Sequence, residues 1–321
     1  MSDSGPQYAA ELVVGLRAGN RRALARLLTE AENGSPAGRE GLRLLFADTG
    51  RAHTVGITGS PGAGKSTVTN MLAKAYRAQD KTVAIVAVDP SSPFTQGAIL
   101  GDRVRMQDLS GDPGVFVRSL ASRGALGGLS HGTLDVVAVL DASGRDVILI
   151  ETVGAGQDEV EIAGAAQTTV LINTPGMGDD IQAMKAGIME IADVLCVNKA
   201  DHPGVDALIG QLRALLSLNV HADWQPPIVP TIATQGEGAD ALLEAITAHR
   251  EHLVSTGKLA LRERDRFRRQ VLAIARAELL AGMLHGPRGE QRLAQILDDV
   301  TARHLDPHSA AAAWIDQGLH A

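Results

Sequence analysis

Aromatic residues and cysteine are scarce in this chain. Phe, Trp and Tyr make up 2% of its 321 residues while apolar residues make up 45%, so a core must be built from Ala, Val, Leu and Ile. A single cysteine, Cys196, excludes a disulfide framework and a thiolate metal cluster, and it fits a reducing cytosol. Because Cys196 falls in a predicted strand, we expect it to be an inert core thiol.

Long apolar runs and an excess of positive charge are also missing. No run of about 18 apolar residues occurs, so no membrane span is predicted. Residues 1–8 are polar, and we expect neither a signal peptide nor a transit peptide. The net charge of −7 argues against nucleic-acid binding. These absences favour a cytoplasmic protein of one or two domains.

A glycine-rich stretch carries the most information. It matches the phosphate-loop pattern G-x-x-x-x-G-K-[ST], between a strand pattern at 53–58 and a helix pattern at 67–79. Backbone amides of such a loop surround phosphate oxygens, Lys65 would reach the β- and γ-phosphates, and Ser66 would ligate Mg²⁺. A chance glycine-rich turn is the alternative, which the intact context disfavours. The predicted contacts are Gly59, Ser60, Pro61, Gly62, Ala63, Gly64, Lys65, Ser66 and Thr67.

A second motif predicts which base is bound. A buried-strand pattern runs into Asn198-Lys199-Ala200-Asp201, which has the form N-K-x-D. Asp201 would accept hydrogen bonds from guanine N1–H and the 2-amino group, whereas adenine would leave the carboxylate unpaired. The Lys199 stem would lie along the base, and Asn198 would tie this loop to the phosphate loop. We therefore expect GTP rather than ATP.

The alternation of strands and helices predicts an α/β fold of the P-loop NTPase type. Such alternation gives a mostly parallel sheet with helices on both faces, and ligands bind at the carboxyl ends of its strands. The predicted strands are 53–58, 82–88, 114–118, 146–151, 168–173, 193–198 and 227–232.

Helical extensions are predicted on both sides of this domain. Residues 8–32 show one apolar stripe and predict one helix, followed by a short helix at 37–47. Beyond 257 an apolar stripe containing Val271 and Ile274 lies opposite a charged face. That face fits both a solvated helix and an arm for self-association. We predict three regions: an N-terminal extension at 1–50, a nucleotide-binding domain at 51–256 and a helical dimerisation arm at 257–321.

Three acids follow strand-like runs and are candidates for the metal region: Asp89, Asp102 and Glu151. Glu151 opens Glu151-Thr152-Val153-Gly154, which has the form of the D-x-x-G switch with Glu in place of Asp. Lys65, Asp89 and Glu151 are the predicted catalytic residues, and Ser66 would complete the metal ligands. Each acid taken singly also fits a helix cap or turn.

Mobile switch segments are predicted after two strands. The Gly154 amide would sense the γ-phosphate, and Gly178, Asp179, Gln182 and Lys185 would form a further switch. An ordinary capped connection is the alternative for that second segment. The position after the D-x-x-G glycine, where many GTPases carry a water-orienting Gln, is Ala155, with Gln157 two residues later. This predicts slow intrinsic hydrolysis that a partner accelerates.

These motifs together resemble the MeaB/ArgK GTPases over residues 20–255. The resemblance implies a homodimeric chaperone of an adenosylcobalamin-dependent acyl-CoA mutase, chiefly methylmalonyl-CoA mutase, with GTP or GDP and Mg²⁺ as ligands. It also implies a cobalamin adenosyltransferase as a candidate partner, and it places the later guanine loop at Ala233. The motifs are Gly56–Thr67, Val88-Asp89-Pro90-Ser91-Ser92, Gly97–Arg105, Gly124–Gly128, Glu151–Gln157, Gly178–Gln182 and Asn198–Asp201.

Two other functions remain open at this point. A kinase could use the same phosphate loop, although N-K-x-D disfavours it because kinases mostly use ATP. A nickel-insertion GTPase is the third possibility, but the ten histidines are scattered and form no cluster. The identity of the acyl-CoA mutase does not follow from the sequence.

Overall fold

The structure, a computed structural model, describes residues 4–89, 107–109, 111–121, 131–152, 158–176, 188–218, 223–285 and 289–319. The chain forms two compact units, residues 1–263 and residues 264–321. Within the described ranges, every helix is too short or too polar to cross a bilayer.

A parallel sheet of seven strands organises the first unit, and each predicted strand is present, starting within one residue of its predicted position. The sheet order is β3-β2-β4-β1-β5-β6-β7, which places the strand that leads to the phosphate loop in the centre. The predicted P-loop α/β fold is confirmed. The strands are β1 His53–Gly59, β2 Val83–Asp89, β3 Val115–Ala121, β4 Val147–Thr152, β5 Thr168–Asn173, β6 Val194–Asn198 and β7 Ile228–Thr231.

The described helices of this unit lie before, between and after the strands. Short 3₁₀ turns occupy Phe46–Asp48, Gln107–Leu109 and Ile188–Ile191. The helices are α1 Ser4–Arg17, α2 Arg21–Glu32, α3 Pro36–Leu45, α4 Lys65–Ala78, α5 His131–Ala142, α6 Asp158–Ala165, α7 Val205–Leu216 and α8 Ala239–Ser255.

Aliphatic side chains fill both faces of the sheet. Alternate residues of a strand face opposite sides, so Leu149 belongs to an apolar cluster that includes residues of α4 and α8, while Ile148 belongs to a second cluster that includes residues of α2 and α5. Every residue of β1, β4 and β5 is buried, as expected for central parallel strands covered on both faces. Gly56 lets α6 approach β1, because a Cβ there would lie 2.6 Å from Ile162.

The N-terminal region contains two helices where the sequence predicted one over residues 8–32, so that prediction was wrong. Helix α1 ends at Arg17 and α2 begins at Arg21. Gly19 takes a φ of 77°, and the Asn20 side chain accepts hydrogen bonds from the amides of Arg22 and Ala23. A left-handed glycine followed by an N-cap asparagine ends one helix and starts the next. The apolar stripe continues across the break, which explains the wrong prediction.

The described part of the chain beyond residue 257 is helical: α9 Lys258–His285, α10 Gly289–Thr301 and α11 Pro307–Leu319. Helix α9 is 28 residues long and has no buried residue. In the predicted apolar stripe, Val271 is 63% exposed and Ile274 is 38% exposed. An amphipathic helix of this length with an uncovered stripe needs a further surface to pack against.

Candidate functional site

The predicted motifs meet at the carboxyl edge of the sheet. Neighbouring strands β4, β1, β5 and β6 run parallel and end at Thr152, Gly59, Asn173 and Asn198. Glu151 in β4 pairs with Ile57 of β1, two residues before the phosphate loop begins. This is the edge at which α/β proteins of this type bind ligands.

The phosphate loop has the conformation that its glycines permit. Gly59, Gly62 and Gly64 take φ values of 142°, 80° and 93°, a region that other residues rarely occupy. A Cβ on Gly59 would overlap the carbonyl oxygen of Ile172 in β5. Gly64 is the N-cap of α4, and no side chain caps that helix. The first-turn amides of α4 thus begin directly at the loop, the usual arrangement for anion binding.

Lys65 and Ser66 occupy the first turn of α4 and are both buried. The Lys65 ammonium donates to the carbonyl oxygens of Gly59 and Ser60 over 2.6 and 3.0 Å, so it lies inside the curve of the loop. The Ser66 hydroxyl donates to Glu151 Oε1 over 2.6 Å. A hydroxyl beside a buried carboxylate supplies hard oxygen ligands of the kind that Mg²⁺ prefers.

The side-chain amide of Asn198 connects three loops. Its Nδ2 donates to the Ala63 carbonyl oxygen in the phosphate loop over 2.9 Å. Its Oδ1 accepts from the amide of Ala233 over 3.2 Å and from the hydroxyl of Thr231 over 3.3 Å. The sequence predicted the tie to the phosphate loop, and the structure contains it. Because the Ala233 backbone amide bonds the Asn198 side chain, the later predicted loop lies at the site.

The three residues that follow Asn198 in the N-K-x-D motif have different surroundings. Lys199 takes a φ of 59°, an uncommon conformation for a lysine, and its ammonium donates to the Gly62 carbonyl oxygen over 3.0 Å. The Ala200 amide donates to the Thr231 carbonyl oxygen over 3.0 Å. Asp201 follows in a turn and is exposed, so its carboxylate is accessible to a ligand.

Several predicted site residues lie outside the described residues. For Asp89 the structure gives only the backbone, at the end of β2 beside Ala121 of β3. The metal-region acid and the switch residues outside the described part are Asp102, Gly154, Gln157, Gly178, Asp179, Gln182 and Lys185. Their roles stay predictions.

Two features of the site were not predicted. The first is Thr231, whose hydroxyl reaches Asn198; it follows from strand pairing, because Asn198 of β6 lies opposite Thr231 of β7. The second is a cavity of about 460 Å³ between α4 and the residues after β7, lined among others by Thr67, Met71 and Ala233. Thr67 is therefore placed at the wall of this cavity. The sequence carries no local pattern for either feature.

A polar cluster occupies the opposite, amino edge of the sheet. Thr168 Oγ1 lies 2.9 Å from both His53 Nε2 and His249 Nδ1, and His249 Nε2 lies 3.1 Å from Asp193 Oδ1. Arg262 donates to both carboxylate oxygens of Asp193 over 2.8 and 3.0 Å. Thr168 is fully buried, so a hydroxyl–His–Asp arrangement that resembles a hydrolytic triad has no access to substrate here.

Burial sets the protonation of this cluster. Desolvation, with smaller contributions from Arg250 and His249, lowers the pKa of His53 to about 3, so the ring is neutral near pH 7. Burial would raise the pKa of Asp193, but hydrogen bonds from His249 and Arg262 outweigh it and lower that pKa. The cluster therefore contains an ionised Asp193 bonded to His249 and Arg262, together with a neutral His53.

Cys196 is the inert core thiol that the sequence predicted. It is fully buried in β6, and burial raises the pKa of its thiol to about 12. A thiol that keeps its proton at neutral pH is a poor nucleophile and a poor metal ligand.

Comparison with known proteins identifies relatives over most of the chain. A protein-family model described as "Methylmalonyl Co-A mutase-associated GTPase MeaB" matches residues 24–287. A protein of Pyrococcus abyssi named "Putative GTPase" is 46% identical over 307 residues, covering 94% of each chain. GTPase ArgK of Escherichia coli is 35% identical over 260 residues, covering 78% of each chain.

A solved structure supports the fold. The crystal structure of a protein titled LAO/AO transport system kinase superposes with a TM-score of 0.71 at 24% identity, covering 100% of this chain and 99% of that one. At this identity the likeness concerns the fold alone. Taken with the family match and the phosphate-loop and N-K-x-D geometry, these relatives show that the chain is a P-loop GTPase and belongs to the MeaB family.

Proposed function

We propose that this GTPase binds GTP and GDP with Mg²⁺ in the cleft at the carboxyl edge of the sheet, and that the bound nucleotide controls a chaperone action on an adenosylcobalamin-dependent acyl-CoA mutase. The observation that carries the nucleotide site is the Asn198 amide, which bonds the phosphate loop on one side and the loop of Ala233 on the other. One ligand spanning both loops would account for this connection.

At the phosphate end, the ligand would lie against the first-turn amides of α4 and the Lys65 ammonium. That ammonium now bonds the carbonyl oxygens of Gly59 and Ser60, so in the nucleotide complex it would exchange these partners for phosphate oxygens. Charge-assisted bonds to phosphate are stronger than bonds to neutral carbonyls, which favours the exchange.

At the base end, the exposed Asp201 carboxylate would accept from guanine N1–H and the 2-amino group. Lys199 supports this assignment because its ammonium reaches Gly62, so its aliphatic stem spans the interval between the two loops. An apolar stem in that place offers a surface for one face of the base.

Ser66 and Glu151 are the described residues that would hold the metal, with Asp89 and Asp102 as further proposed ligands. The 2.6 Å contact between the Ser66 hydroxyl and Glu151 shows that their oxygens converge at the start of α4. Bound Mg²⁺ would neutralise charge on the β- and γ-phosphate oxygens. We propose slow intrinsic hydrolysis, since Ala155 stands where many GTPases carry a water-orienting glutamine.

The mutase partner is supported by the family description, which names methylmalonyl-CoA mutase. Methylmalonyl-CoA mutase is thus the first partner to test, with isobutyryl- and hydroxyisobutyryl-CoA mutases and a cobalamin adenosyltransferase next. We place this action in the cytoplasm, in keeping with a single, reduced and buried cysteine.

A homodimer formed through the C-terminal helices is part of the proposal. Its support is helix α9, which has no buried residue and leaves Val271, Leu272 and Leu279 each about 60% exposed. Sedimentation velocity would test it: a dimer is expected, and Val271→Asp with Leu279→Asp should give monomers. A monomeric wild-type chain at micromolar concentration would contradict it.

Calorimetry with GTP, GDP and ATP tests the nucleotide site. We expect binding of both guanine nucleotides and at least a hundredfold weaker binding of ATP, because adenine leaves Asp201 unpaired in the complex. Lys65→Ala should abolish nucleotide binding or turnover. Asp201→Asn should reduce the preference for guanine while the phosphate loop remains intact. Equal affinity for ATP and GTP would refute the proposal.

The chaperone role needs its own experiment. Immobilised mutase subunits are incubated with the protein in GDP and in a non-hydrolysable GTP analogue, with the nucleotide-free wild-type protein as the control. Because a ligand shifts only an equilibrium whose states it binds differently, the two nucleotides should give different affinities for the mutase. The same affinity in both nucleotide states would remove nucleotide control.

A further inference from the structure

Thr231 lies at the centre of the contacts that hold the N-K-x-D loop. In the sheet it is the direct partner of Asn198, and it is 1% exposed. Its carbonyl oxygen accepts from the Ala200 amide, and its hydroxyl lies 3.3 Å from Asn198 Oδ1. One residue of β7 therefore contacts both the backbone and the key side chain of the neighbouring loop.

The direction of these hydrogen bonds is determined by their partners. Asn198 Nδ2 faces the Ala63 carbonyl oxygen, which only accepts, and Asn198 Oδ1 faces the Ala233 amide, which only donates. A flipped amide would therefore lose both bonds. Oδ1 must accept from Thr231 as well, so the single hydroxyl proton of Thr231 points toward Asn198.

Cys196 adds a third member to this series of hydrogen bonds. Its sulfur lies 3.3 Å from the Thr231 hydroxyl oxygen. Since the Thr231 proton is directed to Asn198, the thiol must be the donor in this contact. The raised pKa of Cys196 keeps that proton in place at neutral pH. The bonds run in one direction, from Cys196 to Thr231 to Asn198, and bonds aligned in this way polarise and strengthen one another.

We propose that Thr231 is a positioning residue for base recognition: with Cys196 as its donor, it fixes the Asn198 amide and so aligns Asp201 on guanine. This inference rests on the proposed assignment of residues 198–201 as the guanine-binding loop. Thr231 does not itself reach the nucleotide in this account. It acts by removing the rotational freedom of an amide that three loops share.

The test compares Thr231→Val with Thr231→Ser. Valine keeps the shape of the side chain and the backbone bond to Ala200 but removes the hydroxyl, whereas serine keeps the hydroxyl. Calorimetry measures the dissociation constants of GDP and of inosine diphosphate, which lacks the 2-amino group. The ratio of the two affinities reports how well Asp201 meets that group. A loss of overall stability would lower both affinities together and leave the ratio unchanged.

We expect Thr231→Val to weaken GDP binding about tenfold and to lower the GDP-to-inosine diphosphate ratio about fivefold, the size of effect expected from one lost hydrogen bond. Thr231→Ser should stay within about twofold of the wild type in both. Cys196→Ala leaves the Thr231 side chain in place and should lower the GDP-to-inosine diphosphate ratio about twofold. If Thr231→Val does not fold, this second variant tests the positioning role.

The outcomes separate this inference from the proposed function. A wild-type protein without preference for GDP over ADP refutes the assignment of the guanine-binding loop. A wild type that prefers GDP, with an unchanged GDP-to-inosine diphosphate ratio in Thr231→Val, refutes the positioning role alone. Where Thr231→Val does not fold, an unchanged ratio in Cys196→Ala refutes it. A lowered ratio in Thr231→Val that Thr231→Ser restores supports it.

Discussion

Gly64 and Asn198 lie so close that a methyl group on the first would overlap the side-chain amide of the second. Gly64 also takes a φ of 93°, which strains any other residue by about 1–2 kcal/mol. We therefore expect Gly64→Ala to displace the Asn198 amide and to weaken GDP binding at least tenfold. Calorimetry measures the affinity and urea unfolding measures the stability.

The matched control is Gly210→Ala. Gly210 lies in helix α7 with no atom within 4 Å of an added Cβ, so alanine should stabilise the protein by up to about 1 kcal/mol without changing GDP affinity. If Gly64→Ala bound GDP as the wild type does, the close packing of the two loops would not matter for binding.

Asp141 joins helix α5 to the start of the sheet. Its carboxylate accepts from the amides of Gly50, Arg51 and Ala52 over 2.6 to 3.1 Å, just before β1 begins. Asp141→Asn removes the charge from a buried acceptor of three bonds, so we expect a loss of about 1–3 kcal/mol in the free energy of unfolding. Glu251→Gln, at an exposed position of α8, should change it by less than about 0.5 kcal/mol. Equal effects of the two changes would contradict this role.

The neutral His53 predicts a dependence of stability on pH. Its pKa is about 3 in the folded protein and about 6.5 in an unfolded chain, so between these values the unfolded state binds more protons. Stability must then fall as the pH drops below 6.5, by about 2 kcal/mol between pH 7 and pH 5. Urea unfolding at both values measures the change.

His53→Gln supplies the comparison for that measurement, because glutamine does not titrate. The variant should be less stable at pH 7, since it disturbs a buried contact to Thr168, but its stability should change less between pH 7 and pH 5. The same pH dependence in both proteins would place the titrating group elsewhere.

Cys196 offers a direct check of the core. Since its thiol is fully buried with a pKa raised to about 12, we expect no reaction of the native protein with a thiol reagent at pH 8. In guanidinium chloride, one thiol per chain should react, because the sequence contains one cysteine. Rapid stoichiometric labelling of the native protein would show that β6 opens.

The sheet could be predicted from the sequence because each strand is a short apolar run bounded by turns. The N-terminal helices could not be divided correctly, since the apolar stripe of α1 continues into α2 and only Gly19 and Asn20 mark the break. A left-handed glycine before a capping asparagine is a local pattern, so the Gly19-Asn20 pair itself carries a sequence signal for the helix break.

The candidate site also contains features that the sequence predicts and features that it does not. The phosphate loop and the N-K-x-D loop are local in sequence and were located correctly at strand ends. Thr231 is 33 residues from Asn198, and its role follows only from the register of β6 and β7. The polar cluster around Thr168 draws side chains from residues as far apart as His53 and His249, each of which has an unremarkable sequence context.

The Asn198 side-chain amide, which bonds two loops, limits how freely either loop can change. Asn198 bonds the Ala63 carbonyl oxygen and the Ala233 amide with the two ends of one rigid group. If the protein binds nucleotide as proposed, this amide would link the binding of phosphate to the choice of base. A substitution that relaxes one disturbs the other. Re-engineering this protein toward a different nucleobase would therefore require changes on both loops at once, and single substitutions should more often silence the enzyme than redirect it.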